Sequence, residues 1–96
     1  MPRQPAVYIL ANRKYGTLYT GVTSNLIQRI WQHRNHLEPG FTSRYRVHRL
    51  VWFELHEHME SAIVREKQIK AGSRRRKLEL IERENPVWRD LYDEIL

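Results

Sequence analysis

The chain contains no cysteine. That absence excludes a disulfide framework, a zinc–thiolate centre and a cysteine nucleophile, and it suits a cytosolic protein. Long hydrophobic runs are missing too. Apolar stretches such as Leu50-Val51-Trp52-Phe53 are far too short to span a bilayer. Met1-Pro2-Arg3-Gln4-Pro5 has no apolar run behind its basic start, so no signal peptide is expected and the chain reads as soluble and cytoplasmic. No zinc-ligand spacing, phosphate-cradling glycine loop or dinucleotide fingerprint occurs, nor any internal repeat or linker. Of the five histidines, His33 and His36 stand i, i+3 without a carboxylate or cysteine set around them, which argues against a histidine-built metal site. Acid is scarce: 11 Asp and Glu face 17 Lys and Arg, for a formal charge of +6. The pI near 10.1 favours a polyanionic partner, most commonly nucleic acid. At 96 residues, the chain is expected to form one domain, 1–96, with a real core.

What is present reads as an α+β pattern of order ββαβααα. Residues 6–11 are rich in β-branched and aromatic side chains and predict a strand. Asn12-Arg13-Lys14-Tyr15-Gly16 has turn chemistry, with Gly16 free to take a positive φ, and Thr17–Val22 returns as the second strand of a hairpin. Thr23-Ser24-Asn25 offers capping side chains for a helix over Leu26–Leu37, which Glu38-Pro39-Gly40 ends. A loop spans Phe41–Arg46 and a third strand spans Val47–Leu55. Met59, Ala62, Ile63, Glu66 and Ile69 mark one stripe of a second helix ending at Ala71-Gly72. Ser73 caps a third, with Leu78 and Ile81 facing the core. Asn85-Pro86 is taken as an N-cap followed by proline, opening a last helix that packs through Trp88, Leu91, Tyr92 and Ile95.

Glu66 breaks the pattern informatively. A carboxylate on an apolar stripe costs several kcal/mol unless it is paired. Two answers fit: an internal ion pair with an arginine, or a ligand for a hard divalent cation such as Mg²⁺ or Mn²⁺. Arg29 and His33 are i, i+4 neighbours and share a helix face. An arginine fork matches phosphate oxygens, and a histidine can donate to a phosphate or a tyrosine oxygen, or else pack against a backbone carbonyl. Tyr8 and Tyr19 fill space as ordinary strand residues, or meet on one face of the hairpin. A phenol with a pKa near ~10 is a poor base unless a cation stands close. Gly21 serves close packing or lets a phosphate approach the main chain. Two basic clusters could follow a phosphate backbone: Arg44, Arg46, His48 and Arg49 around Tyr45, and Ser73-Arg74-Arg75-Arg76-Lys77, which has glutamates close behind it.

This ordered set resembles the GIY-YIG endonuclease superfamily. Val7-Tyr8, followed by Ile9, stands at the Ile-Tyr of that family's Gly-Ile-Tyr, and Tyr19-Thr20-Gly21 where it has Tyr-Ile-Gly. The run from Tyr19 through Arg29 to His33, the stretch Glu60–Lys70 and the ending Asn85–Leu91 look like its small stand-alone members, relatives of the N-terminal nuclease domain of the bacterial excinuclease C subunit. Ala6 replaces a family glycine, and Thr20 a family isoleucine. The resemblance implies a three-stranded antiparallel sheet flanked by helices and metal-dependent DNA phosphodiester hydrolysis, in repair or processing, on DNA that includes branched forms. It implies Tyr8 as general base or orienter of water, Tyr19 positioning water or phosphate, and Arg29 stabilising the pentacovalent phosphate. His33 would bond Tyr8 or a phosphate oxygen, and Glu66 would hold one Mg²⁺ or Mn²⁺. Arg44, Arg46, Arg74 and Arg75 would contact nucleic acid. The alternative is a basic nucleic-acid-binding module without turnover.

Overall fold

The run Ala6–Ala11 forms β1, whose six residues are all buried. It is the middle strand of the sheet in a computed structural model that describes residues 4–35 and 40–96. β2 (Leu18–Thr23) and β3 (Arg49–Leu55) pair with it on either side, giving the order β2-β1-β3. Both pairings are antiparallel, with a register shift between Ile9 and Leu10 on the β3 side. The helices are α1 (Leu26–Arg34), α2 (Phe41–Arg44), α3 (Met59–Ala71), α4 (Arg74–Glu84) and α5 (Tyr92–Ile95). The expected α+β class with a three-stranded antiparallel sheet is what the chain adopts.

Both faces of β1 are covered, which explains its unbroken apolar pattern. Ala6, Tyr8 and Leu10 pack with Leu26 and Ile30 of α1 and with Leu91. Val7, Ile9 and Ala11 pack with Ala62 and Ile69 of α3, Ile81 of α4 and Trp88. Each buried Val, Leu or Ile among them contributes about 1.5–3 kcal/mol, so the two layers are held mainly by what flanks this one strand.

Several elements differ from the pattern read in the sequence. The hairpin takes its positive φ at Tyr15 (59°), not at Gly16. Gly16 is needed for closeness instead, because a Cβ there would collide with the Asn12 side chain, which accepts from Thr17 N at 2.9 Å. Helix α1 stops at Arg34, where the Asn35 side chain and backbone N–H both donate to the Trp31 carbonyl, at 2.8 and 3.1 Å. Leu37 and Glu38-Pro39 lie outside the described residues. The expected loop after Gly40 holds one short helix, α2. Arg46 then turns the chain with φ 55°, so β3 begins at Arg49 and not at Val47. On α3, Ala62 and Ile69 are buried, but Ile63 is 37% exposed, so the apolar stripe is narrower than its spacing suggests.

The largest correction concerns Asn85. It ends α4 instead of opening a helix, and the next residues form a loop that leads to α5 only at Tyr92. Its buried side chain donates to Val51 O at 3.1 Å and Arg89 O at 2.9 Å and accepts from Arg89 N at 3.2 Å. An asparagine amide can close a loop as readily as cap a helix, and here the loop has the partners. Trp88, within that loop, is fully buried with φ 59°, and its buried Nε1 has no hydrogen-bond partner among the described residues. Trp88→Phe removes that unpaired donor, whose desolvation costs about 1–3 kcal/mol, while keeping most of the ring. Denaturant melts should therefore find the variant within about 1 kcal/mol of the parent; a larger loss would mean that the N–H is satisfied after all.

The hairpin tip is tied to α4. Arg74 Nη2 donates to Tyr15 O and Gly16 O, each at 2.7 Å, and Tyr15 Oη donates to Glu82 at 3.2 Å. The Glu82 carboxylate raises the Tyr15 pKa above its ordinary 10.0, so this contact holds below that pH and is lost as pH climbs through the raised value.

Candidate active site

The hairpin register sets Tyr8 opposite Gly21, and Leu10 opposite Tyr19. Tyr8 and Tyr19 are therefore diagonal neighbours on one face, with ring centroids 6.3 Å apart. Helix α1 starts where the Asn25 side chain accepts from Gln28 N, and it lays His33 across both rings, at centroid distances of 5.8 and 5.7 Å. His33 Nε2 lies 3.0 Å from Tyr8 Oη, and His33 Nδ1 lies 3.1 Å from Thr42 Oγ1 on α2. Tyr8, His33 and Thr42 are 0%, 4% and 6% exposed, so this chain of hydroxyl, imidazole and hydroxyl is shielded from bulk water. Tyr19, partly exposed, stands in front of it. Gly21 makes the arrangement possible, because a Cβ there would lie 2.5 Å from Tyr8 Cζ.

An imidazole between two hydroxyls has two consistent proton arrangements. In one, Nδ1–H donates to Thr42 and Nε2 accepts from Tyr8; in the other, Thr42 donates to Nδ1 and Nε2–H donates to Tyr8. The two differ in which ring nitrogen carries the proton and in the direction of both hydroxyl contacts, and either one holds the phenol in place.

Arg29 lies one turn before His33 on α1 and is half-buried. Glu66 comes from the other layer, on α3, with its side chain 12% exposed. Its partner is not an arginine but Lys70, one turn on, whose Nζ lies 2.8 Å from Oε2. Lys70 also lines a cleft of about 610 Å³ along the free edge of β2, together with Tyr19, Arg74 and Lys77. Hairpin and acidic helix thus meet at that edge. Among the described residues, no group of three or more His, Cys, Asp or Glu could hold a metal ion. One carboxylate beside an open cleft does not form an all-protein cage. It does fit an Mg²⁺-like ion that keeps several waters and takes its remaining ligands from phosphate.

Comparison with known proteins bears directly on this arrangement. A family model described as the GIY-YIG catalytic domain matches residues 4–79. The chain belongs to the GIY-YIG family. It is similar to a UPF0213 protein of Clostridium perfringens, 43% identical over 75 residues that cover 78% of this chain and 80% of that one. A UPF0213 protein of Staphylococcus saprophyticus is 38% identical over 68 residues, covering 71% and 83%. The solution NMR structure of a UPF0213 protein of Bacillus halodurans superposes with a TM-score of 0.57 at 30% identity, covering 91% of this chain and 92% of that one. GIY-YIG membership implies endonuclease chemistry in general, a DNA substrate and the family's usual need for divalent metal. Among the described residues, no helix is long and apolar enough to cross a membrane.

The basic residues of this GIY-YIG chain divide by what they touch. Arg44 and Arg46 are exposed, with the Arg44 guanidinium 5.5 Å over the Tyr45 ring. Arg49 donates to Trp88 O at 3.3 Å, a structural contact. Arg74 holds the hairpin tip as described, and Arg75 is 89% exposed beside Glu79 at 3.3 Å. Two members of the site escaped the sequence: Thr42, whose contact with His33 runs across a turn no periodicity marks, and Lys70, which the i, i+4 rule could have paired with Glu66.

Proposed function

We propose that this chain is a divalent-metal-dependent endonuclease that hydrolyses DNA phosphodiester bonds. The observation that carries the proposal is the buried Tyr8–His33–Thr42 chain lying behind Tyr19, at the strand edge whose cleft also receives Lys70, the partner of Glu66. The burial of Tyr8 favours Tyr19 as the phenol that meets water and phosphate. Tyr8 then orients from behind, fixed by its hydrogen bond to His33. Arg29 offers its fork to the pentacovalent phosphate. Glu66 would hold Mg²⁺ or Mn²⁺, and the bound ion would supply charge stabilisation to the leaving oxygen. Branched DNA, a place in repair or processing, and a cytoplasmic setting fit the basic, cysteine-free composition.

A basic binding module without turnover is the second reading, favoured by the Lys70 ammonium on the Glu66 carboxylate. Nicking of supercoiled plasmid and of linear and branched duplexes, with Mg²⁺ or Mn²⁺ and with chelator, separates the two. Cleavage only with metal is the expected result; retention without cleavage under any metal would favour the module.

DNA contact through Arg44, Arg46, Arg74 and Arg75 has a thermodynamic signature. Each phosphate neutralised adds about 0.9 to the slope of log affinity against log salt. Arg44→Gln combined with Arg46→Gln should flatten that slope by about 1.8 in fluorescence anisotropy titrations of duplex DNA. An unchanged slope would remove this exposed pair from the interface.

A further inference from the structure

We propose that Lys70, Arg74 and Lys77 form a second phosphate subsite on the edge of β2, for the phosphate flanking the one to be cut, and that the divalent ion and this phosphate bind cooperatively because each frees Lys70 from Glu66. The ligand's identity rests on the nuclease function proposed above.

Three observations converge on the subsite. The three cations share one cleft with Tyr19, so a phosphate held there lies beside the phenol facing the substrate. Arg74 is anchored by the carbonyls of Tyr15 and Gly16 at 2.7 Å. Lys77 Nζ is anchored by the carbonyls of Gly72 at 3.2 Å and Lys70 at 3.4 Å. These acceptors are neutral: they fix the cations in place but do not cancel their charge. Among the described residues, neither Arg74 nor Lys77 has a carboxylate partner, unlike the neighbouring Arg75, which faces Glu79. A preorganised, uncompensated pair of cations in a concave site suits a phosphate oxygen cluster.

Lys70 supplies the coupling. It is 52% exposed and on a flexible stem, so its pairing with Glu66 is weak and easily exchanged. A divalent ion on the Glu66 carboxylate repels the ammonium, which then faces the cleft and raises its charge from two cations to three. A phosphate in the cleft draws the same ammonium away and bares the carboxylate for the ion. Thermodynamic linkage makes the two effects equal in size.

The full chain is titrated with a short fluorescein-labelled DNA duplex, with and without Ca²⁺ as a hard cation, at constant ionic strength. Ca²⁺ should raise duplex affinity by about two- to fivefold, the range that releasing a half-exposed ion pair allows. In Lys70→Gln that enhancement should vanish, while Mn²⁺ alone, followed by its electron paramagnetic signal, should bind more tightly than to the parent. Lys77→Gln should flatten the salt slope by about 0.9, and Lys77→Arg should restore it. Persistence of the Ca²⁺ enhancement in Lys70→Gln, or a parental slope in Lys77→Gln, overturns the proposal while leaving the nuclease function standing. A parent chain that binds no duplex with or without Ca²⁺ overturns both.

Discussion

Glu66→Gln should leave a folded protein whose metal-dependent cleavage is lower by about 10²–10³ or more, the scale set by removing one preorganised electrostatic group from an active site. The substitution keeps the shape of the side chain and removes its charge, and a neutral amide is a far weaker ligand for a hard divalent ion than a carboxylate. Among the described residues, the carboxylate's ion-pair partner is the half-exposed Lys70, so unfolding free energy should move by no more than about 1 kcal/mol. A loss of cutting with an unchanged melt would separate chemistry from folding. The rate of conversion of supercoiled to nicked plasmid across a Mn²⁺ series is the measurement. Cutting at the parental rate would remove Glu66 from the site, and recovery at high Mn²⁺ would mean that it contributes affinity alone.

The layers of the fold were legible because they rest on strong periodicities. The six apolar residues of β1, the alternation in β2 and the capping side chains of Asn25 and Ser73 each do in the structure what their chemistry suggests. The failures share a cause, the ambiguity of short polar signals. Asn85-Pro86 reads as a helix start, yet the same amide holds a loop against Val51 when that carbonyl lies within reach. Ile63 sits on a stripe with Ala62 and Ile69, but α3 leans on the sheet through too narrow a strip to cover it. Within the candidate site, the contact of Tyr8, Tyr19 and His33 follows from strand alternation and helix spacing. The Thr42 contact does not. It depends on how a four-residue helix is carried back over α1, and so short a helix has no sequence signal of its own.

Gly21→Ala should be damaging in a way that reports on Tyr8. The new methyl group would lie 2.5 Å from Tyr8 Cζ, and closer still to the phenol oxygen. The ring is fully buried and its hydroxyl is held at 3.0 Å by His33, so it has no free volume into which to swing. Either the ring moves and the bond to His33 is lost, or β1 and β2 separate locally. Overpacking of this kind costs about 1–3 kcal/mol. A displacement of about 1 Å within a catalytic constellation also costs about 10² in rate, so cleavage should fall beyond what the loss of stability explains. The glycine's backbone angles are not the reason, since its φ lies outside the left-handed region. A double-mutant cycle isolates the cause. Tyr8→Leu removes the atoms that the methyl group would strike, so in that background Gly21→Ala should cost no more than about 0.5 kcal/mol, leaving a coupling of about 0.5–3 kcal/mol between the two positions. Equal costs in both backgrounds would mean that Gly21 is required for something other than seating the phenol, and the geometry that brings Tyr8 under Tyr19 would need another origin.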